Sequence, residues 1–160
     1  MTPRNPSPAV EAEREKRTAG RVMLEEIQRS EYLPPALPPE RAFATVMCAL
    51  ERAVGGDPAR IERGLPANMR KLIARCEAHV EDELSRLSDA HAFMRSVCEH
   101  LELAETDAQA LTRVVFHAVH WVMSEAEIDA LEHELPEDLR GVWHASVHQE
   151  AAGSTSPMGR

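Results

Sequence analysis

Two pairs of histidines are the residues whose type and spacing could support chemistry. His117 and His120 are three residues apart, and His144 and His148 are four apart, each pair in a stretch with helical patterning. Residues at these spacings share one face of a helix, so each pair could present two imidazoles to one metal ion. A complete site would need both pairs together or a nearby carboxylate. The alternative interpretation, surface or half-buried histidines without a ligand, is favoured because no third and fourth ligands are recognisable.

Sequence motifs for other catalytic chemistry are missing. No histidine has a glutamate three residues before it, which carboxylate-bridged metal bundles require. The chain has no His-Glu-x-x-His zinc motif, no Gly-x-Ser-x-Gly elbow and no glycine-rich phosphate loop. The acidic run at 81–83 lacks calcium-loop spacing and is typical of a solvated surface. The sequence therefore predicts no catalytic residue and no cofactor, and it leans against an enzyme.

Charge is distributed unevenly along the chain. Residues 1–76 hold 13 basic and 10 acidic residues, a net of +3, whereas residues 77–150 hold 4 basic and 17 acidic residues, a net of −13. The second half repels phosphate and is a poor nucleic-acid binder. Basic residues at helical spacing in the first half form what we term the basic stripe: Arg60, Arg63, Arg70, Lys71 and Arg75. A solvated helix face is the simpler interpretation, and contact with an acidic partner or the acidic half of another copy is the alternative.

The apolar residues and the cysteines indicate the cellular compartment of the protein. No apolar run approaches the roughly 20 residues that a membrane-spanning helix needs. The first residues are rich in proline and have no apolar stretch behind them, so a secretory signal is not expected. Cys48, Cys76 and Cys98 are an odd number of widely spaced thiols, which favours a reducing compartment. The sequence therefore predicts a cytoplasmic protein without a membrane partner.

The periodicity of apolar residues predicts an all-α fold. Prolines and glycines interrupt a series of helical patterns, and no stretch alternates with period two for long enough to form a strand. Ser124, with Glu127 three residues later, predicts a capping box at one helix start. We expect a mobile N-terminal arm over 1–18, one helical bundle domain over 19–148, and a flexible tail over 149–160.

An internal repeat divides the predicted domain into two pseudo-repeated helical units, about 20–88 and 89–148. The matched segments are 70, 69 and 70 residues apart: 23–27 with 93–97, 46–50 with 115–119, and 65–70 with 135–140. The one-residue slip falls at Gly55-Gly56, where a change of loop length costs little.

The second unit also resembles a known family. Its pattern is Phe93 and Val97, then an apolar, alanine-containing helix over 111–122, then Leu135-Pro136-Glu137-Asp138-Leu139-Arg140. This pattern resembles the bacterial family of proteins of unknown function numbered 2267, over about residues 20–146. The resemblance implies an all-helical domain of two repeats. It implies no activity.

The helix over 111–124 is apolar around most of its circumference. Such a helix is buried on several sides, either among its own neighbours or partly against a second subunit. In the second case the contact residues would be Phe116, Val119 and Met123. The sequence therefore predicts a non-catalytic protein-binding or assembly module, acting through the basic stripe or by self-association. The alternative is a metal- or small-ligand-binding protein that uses the four histidines.

Overall fold

The computed structural model describes residues 7–54, 59–74 and 86–145. These residues form helices joined by short turns, with no strand among them, which confirms the all-α prediction. The helices are α1 Pro8–Arg29, α2 Pro39–Ala53, α3 Ala59–Arg63, α4 Ala67–Ala74, α5 Ala90–Leu101, α6 Glu105–His120, α7 Glu125–Glu134 and α8, whose described part is 137–145. Within these ranges, no helix has the length and apolar character to cross a membrane.

Helix starts follow the capping residues in the sequence. The backbone N–H of Glu127 donates to the Ser124 hydroxyl at 3.2 Å, and the Glu127 carboxylate accepts from the Ser124 N–H at 2.8 Å. This is the predicted capping box at the start of α7. The Asp89 carboxylate accepts the Ala92 N–H at 2.7 Å and starts α5. Pro39 opens α2, where its missing N–H costs no hydrogen bond.

Helix α1 begins earlier than the boundary of the predicted mobile arm. The arm was predicted over 1–18, but residues 8–18 continue the helix, with mostly exposed side chains. The Ser7 hydroxyl caps this start by accepting the Val10 N–H at 3.3 Å. A short alanine-rich and charged sequence favours helix even where few of its residues are buried. The predicted tail over 149–160 and the first six residues lie outside the described residues.

Four long helices, α1, α2, α5 and α6, pack around one apolar core. Helix α1 packs against α2 and α6, and α5 packs against α6 and α2, while α2 and α6 touch each other. Four large aromatic side chains are fully buried in this core: Phe43, Phe93, Phe116 and Trp143. The Phe116 ring lies 5.0 Å from Trp143 and 5.9 Å from Phe93, centroid to centroid. Three of these aromatic side chains, Phe93, Phe116 and Trp143, therefore meet where α5, α6 and α8 pack together.

The two Leu-Pro segments form similar turns. At the first, the Arg70 guanidinium donates to the Leu65 carbonyl at 3.3 Å. At the second, Arg140 Nε donates to the Leu135 carbonyl at 3.0 Å. In each turn the arginine backbone N–H also donates to the proline carbonyl, at 3.0 Å. These matching turns fit the predicted repeat, which itself stays a prediction.

Candidate functional site

The residues predicted to mediate self-association lie inside the chain's own core. Phe116 and Val119 are completely buried, and Met123 is 7% exposed. Their apolar surface is already covered by neighbouring helices of the same chain, so they offer no face to a second copy. The structure therefore favours the other interpretation of this helix, a central core element.

The basic stripe is divided among different surroundings. Arg63 and Lys71 are exposed, whereas Arg70 is half-buried and holds the Leu65 carbonyl. The side chain of Arg60 and all of Arg75 lie outside the described residues. Arg70 is therefore engaged in the chain's own turn, and the members of the basic stripe that the structure shows as exposed are Arg63 and Lys71.

The histidines proposed as metal ligands have different neighbours. The Trp121 indole N–H donates to His117 Nε2 at 3.3 Å, and His144 Nδ1 lies 3.1 Å from a Glu132 carboxylate oxygen. His148 lies outside the described residues. Across 7–54, 59–74 and 86–145, no three histidine, cysteine, aspartate or glutamate side chains are grouped to hold a metal ion.

The fold encloses the ring of His120 and so affects its protonation. Neither ring nitrogen has a hydrogen-bond partner within the described part of the chain, although both are buried. Burial, and to a lesser extent the neighbouring His117, together lower the pKa of His120 from 6.5 to about 4. His120 is therefore neutral near pH 7, packed edge-on against Trp143.

Two of the three cysteines lie among the described residues. Cys48 is buried and Cys98 half-buried, and both are free thiols, while Cys76 lies outside the described residues. Burial raises the pKa of the Cys98 thiol, and the carboxylates of Glu105 and Glu99 raise it further. A raised thiol pKa lowers the fraction of reactive thiolate, which argues against Cys98 as a nucleophile.

An open apolar groove between α1 and α6 is the feature with the character of a binding site. Its cavity measures about 200 Å³. The side chains that form it are mainly apolar: Ala19, Val22, Met23, Glu26, Ala118, Trp121 and Val122. Trp121 is 61% exposed and Val22 is 40% exposed, so two large apolar side chains face solvent together. Adjacent apolar side chains left exposed in this way mark contact surfaces.

A second cavity of about 310 Å³ continues from the groove. Trp121 and Val122 line both cavities, and the wall of the second is completed by Glu15 of α1 and by Arg63 before α4. The groove therefore runs from an apolar centre to a rim that carries both charge signs.

The hydrogen bond between Trp121 and His117 orients the exposed indole. Because the indole N–H is a donor only, His117 Nε2 must accept and must be unprotonated. The two rings stand nearly perpendicular, at 80°, with centroids 6.5 Å apart. One of the histidines considered as a metal ligand therefore positions the side chain that dominates the groove.

On a helical wheel of residues 111–124, Trp121 lies at one side of the apolar face, so the sequence does not identify it as a surface residue. The sequence does hold one indication of this exposure. Trp121 follows His117 by four residues, so on a helix it lies beside a polar side chain. Val22 could not be recognised in this way, since its exposure depends on how α1 lies across α6. The groove is a product of two helices that are distant in sequence.

Comparisons with known proteins give one family. Residues 20–142 and, overlapping them, 90–159 match the family described as Uncharacterized conserved protein (DUF2267). The second match begins 70 residues after the first, close to the offsets of 69 and 70 between the matched segments of the predicted repeat. No curated protein matches the chain. Since the first match alone covers most of the sequence, the chain belongs to the DUF2267 family.

Proposed function

We propose that this chain is a non-catalytic protein-binding or assembly module of the cytoplasm. The observation that carries the proposal is the exposure of Trp121 beside Val22 on the α1–α6 groove. Tryptophan is among the residues that contribute most to protein contacts, because its large apolar surface leaves water when it binds. The groove has the apolar centre and charged rim of such a contact.

The rim of the second cavity carries both charge signs, through Glu15 and Arg63, and so suits a partner with charged groups around its apolar contact. Arg63 lines the cavity next to Trp121, and Lys71 is exposed on the following helix α4. A partner that contacts the indole can therefore pair an acidic group with Arg63 of the basic stripe. Charge of this kind affects the rate and specificity of association more than its strength.

The test compares two exposed aromatic residues. Trp121→Ser removes the indole from the groove, and Tyr32→Ser, at a position 44% exposed and outside the groove lining, is the matched control. Untagged protein is first weighed by native mass spectrometry at low and moderate salt, which gives copy number and bound mass. Bound proteins are then quantified by affinity capture.

We expect partners that wild type and Tyr32→Ser retain and Trp121→Ser loses. Equal recovery by all three proteins would contradict the groove as the binding surface. A bound mass of metal or small-molecule size would instead favour the alternative function.

That alternative is a metal- or small-ligand-binding protein using His117, His120, His144 and His148. It is favoured by one observation, the two buried and unpaired ring nitrogens of His120 within the described residues. Its test is stoichiometric metal in protein purified without a histidine tag, together with the melting temperature in Zn²⁺, Fe²⁺ or Ni²⁺. A metal that binds the folded state raises this temperature. Metal-free protein with an unchanged melting temperature would exclude the alternative.

A further inference from the structure

A polar cavity of about 250 Å³ lies between α2 and α5 and shares no lining residue with the α1–α6 groove. The charged side chains of this α2–α5 cavity are Arg52 of α2 and Arg95 and Glu99 of α5, and its other polar side chains are Ser96 and His100. Two guanidinium groups against one carboxylate give the cavity a positive charge, although the chain as a whole carries −9. The volume is below the roughly 300 Å³ at which pockets for drug-sized ligands begin, so it suits a small group.

Hydrogen bonds at both ends of the contact fix α5 against α2. At one end, the Arg41 guanidinium donates to the His100 carbonyl at 2.9 Å. At the other, the backbone N–H of Leu87, which precedes α5, donates to the Arg52 carbonyl at 3.1 Å. The helices that carry the polar side chains are therefore held in place before a ligand binds, which lowers the entropy cost of binding.

The Ser96 hydroxyl is held by donors and keeps its own hydrogen for a ligand. Ser96 is only 7% exposed, and the Arg52 guanidinium donates to its Oγ at 3.2 Å. His100 Nδ1 lies 2.7 Å from the Ser96 carbonyl oxygen and 3.4 Å from Oγ. Because a carbonyl oxygen only accepts, Nδ1 must carry a hydrogen and donate, so it cannot accept from the hydroxyl. Within the described part of the chain, the hydroxyl hydrogen is therefore left for an acceptor in the cavity.

Arg95 reaches the cavity from its exposed rim. Its guanidinium lies 3.6 Å from a Glu99 carboxylate oxygen, and the two side chains are 67% and 66% exposed. An exposed ion pair one helical turn apart contributes little to stability. A more strongly charged anion can therefore displace Glu99 from Arg95 at small cost, while the half-buried Arg52 supplies the second guanidinium.

We infer that the α2–α5 cavity binds a phosphate group, either as inorganic phosphate or as a phosphate monoester of a small molecule. A carboxylate has two oxygens and is filled by one guanidinium fork, whereas this cavity offers two guanidinium groups and a hydroxyl. A phosphate group has three strong acceptor oxygens and a charge of about −2 at neutral pH, which match these donors. This inference goes beyond the proposed function, because it concerns a different cavity and none of the four histidines of the alternative.

The acidic surroundings restrict the ligand to a small anion. Residues 77–150, which include α5, carry a net charge of −13 and repel a long polyanion such as nucleic acid. A single phosphate group in the cavity responds mainly to the nearest charges, because salt screens charges beyond about 8–10 Å at physiological ionic strength. The two arginines of the cavity therefore act on this ligand more strongly than the acidic charge of the rest of the unit.

The test titrates the full chain with inorganic phosphate, with glycerol phosphate and with acetate, each at constant ionic strength set with chloride. In ¹H–¹⁵N spectra, the backbone N–H signals of Ser96 and Leu87 report on the cavity and the Trp121 indole signal reports on the groove. We expect both phosphate compounds at millimolar concentration to shift the cavity signals saturably and to leave the Trp121 signal in place. Tighter binding of glycerol phosphate would identify a monoester as the natural ligand, and tighter binding of inorganic phosphate would identify the free anion.

Two exposed residues of the cavity should change the affinity in opposite directions. Arg95→Gln removes one guanidinium and should raise the Kd for phosphate about tenfold, the effect of one charge-assisted hydrogen bond. Glu99→Gln removes the carboxylate that competes for Arg95 and should lower the Kd. The matched controls are Arg29→Gln and Glu26→Gln on α1, an exposed pair 3.7 Å apart, which should leave the Kd unchanged. All four side chains are at least 44% exposed, so the variants should keep the wild-type fold.

Three results would overturn the inference. The first is a set of Ser96 and Leu87 signals that stay unchanged at millimolar phosphate and glycerol phosphate. The second is acetate that binds as tightly as phosphate, since the cavity would then suit a carboxylate. The third is an equal Kd in Arg95→Gln and Arg29→Gln, since the anion would then bind elsewhere. None of these results bears on the proposed function, because the capture experiment with Trp121→Ser depends on the groove.

Discussion

The imidazole of His120 stands edge-on to the indole of Trp143, with ring centroids 4.2 Å apart and an angle of 85° between the rings. The contact joins the last turn of α6 to α8. It excludes water from both ring nitrogens of His120 without supplying a hydrogen bond from the described residues. Burying a polar group in this way costs free energy and strongly penalises its charged form.

The lowered pKa of His120 makes stability depend on pH. The unfolded chain takes up a proton near pH 6.5, and the folded chain does so only near pH 4. The contribution of neutral His120 is therefore complete above pH 6.5 and is lost as the pH falls toward 4. We expect a loss of about 2 kcal/mol over this range, after allowance for the partial exposure of the ring.

His120→Phe provides the measurement of that loss. Phenylalanine keeps a ring against Trp143 and cannot take up a proton, so the free energy of unfolding should fall less on acidification than in wild type. Urea unfolding at several pH values gives the comparison. His91→Phe, at an exposed position of α5, is the control and should keep the wild-type slope. Parallel curves for wild type and His120→Phe would contradict the prediction.

Trp143 should be among the residues most sensitive to substitution. Its side chain is completely buried, and its indole N–H donates to the Ile128 carbonyl at 3.2 Å. Trp143→Ala should cost about 3–5 kcal/mol through the cavity it leaves. Trp143→Phe should cost about 1–3 kcal/mol, mainly because the Ile128 carbonyl loses its donor. Chemical denaturation measures both, and Trp121→Phe should stay within about 0.5 kcal/mol of wild type.

Arg140 should stabilise the turn between α7 and α8. Its guanidinium donates to the carbonyls of Leu135 and His133, at 3.0 and 3.1 Å. Arg140→Met keeps much of the aliphatic stem and removes the donors, so we expect a loss of about 1 kcal/mol, the typical net value for such bonds. The control is Arg113→Met, an exposed arginine on α6. Equal melting temperatures for the two variants would show that the turn does not depend on the arginine.

Cys98 should react slowly with alkylating reagents. Burial raises the pKa of its thiol, and the nearby Glu105 carboxylate adds to the effect. In a Cys48→Ala, Cys76→Ala background, the alkylation rate at fixed pH should rise when Glu105 is replaced in Glu105→Gln, because a larger fraction becomes thiolate. Glu125→Gln, on α7, should leave the rate unchanged. If neither Glu105→Gln nor Glu125→Gln changed the alkylation rate of Cys98, the slow reaction would be due to burial alone.

Local signals in the sequence predict the helices better than they predict the groove. In the sequence, Ser88 or Asp89 can cap a helix from about Ala90 to Leu101, and the structure has α5 over Ala90–Leu101 with Asp89 as its cap. The helix that the sequence analysis considers over 111–124 ends earlier, at His120, because the chain turns before the Ser124 capping box. Trp121 lies in that turn, where its side chain is exposed rather than packed with the apolar face of α6. The periodicity of the sequence shows on which side of its own helix a side chain lies. Which neighbouring helix covers that side depends on packing between segments that are distant in sequence.

The crosswise packing of the helices also determines how the chain can be divided. Each predicted unit completes its core with helices of the other, since α1 lies on α6 and α5 on α2. Each half alone therefore leaves part of its apolar faces exposed, although α1 packs on α2 and α5 on α6 within the units, so a fragment ending before residue 86 and one beginning there should each be poorly folded. Mixed together, the halves should assemble by complementation. Such a split pair would convert the meeting of two fusion partners into the folding of one domain.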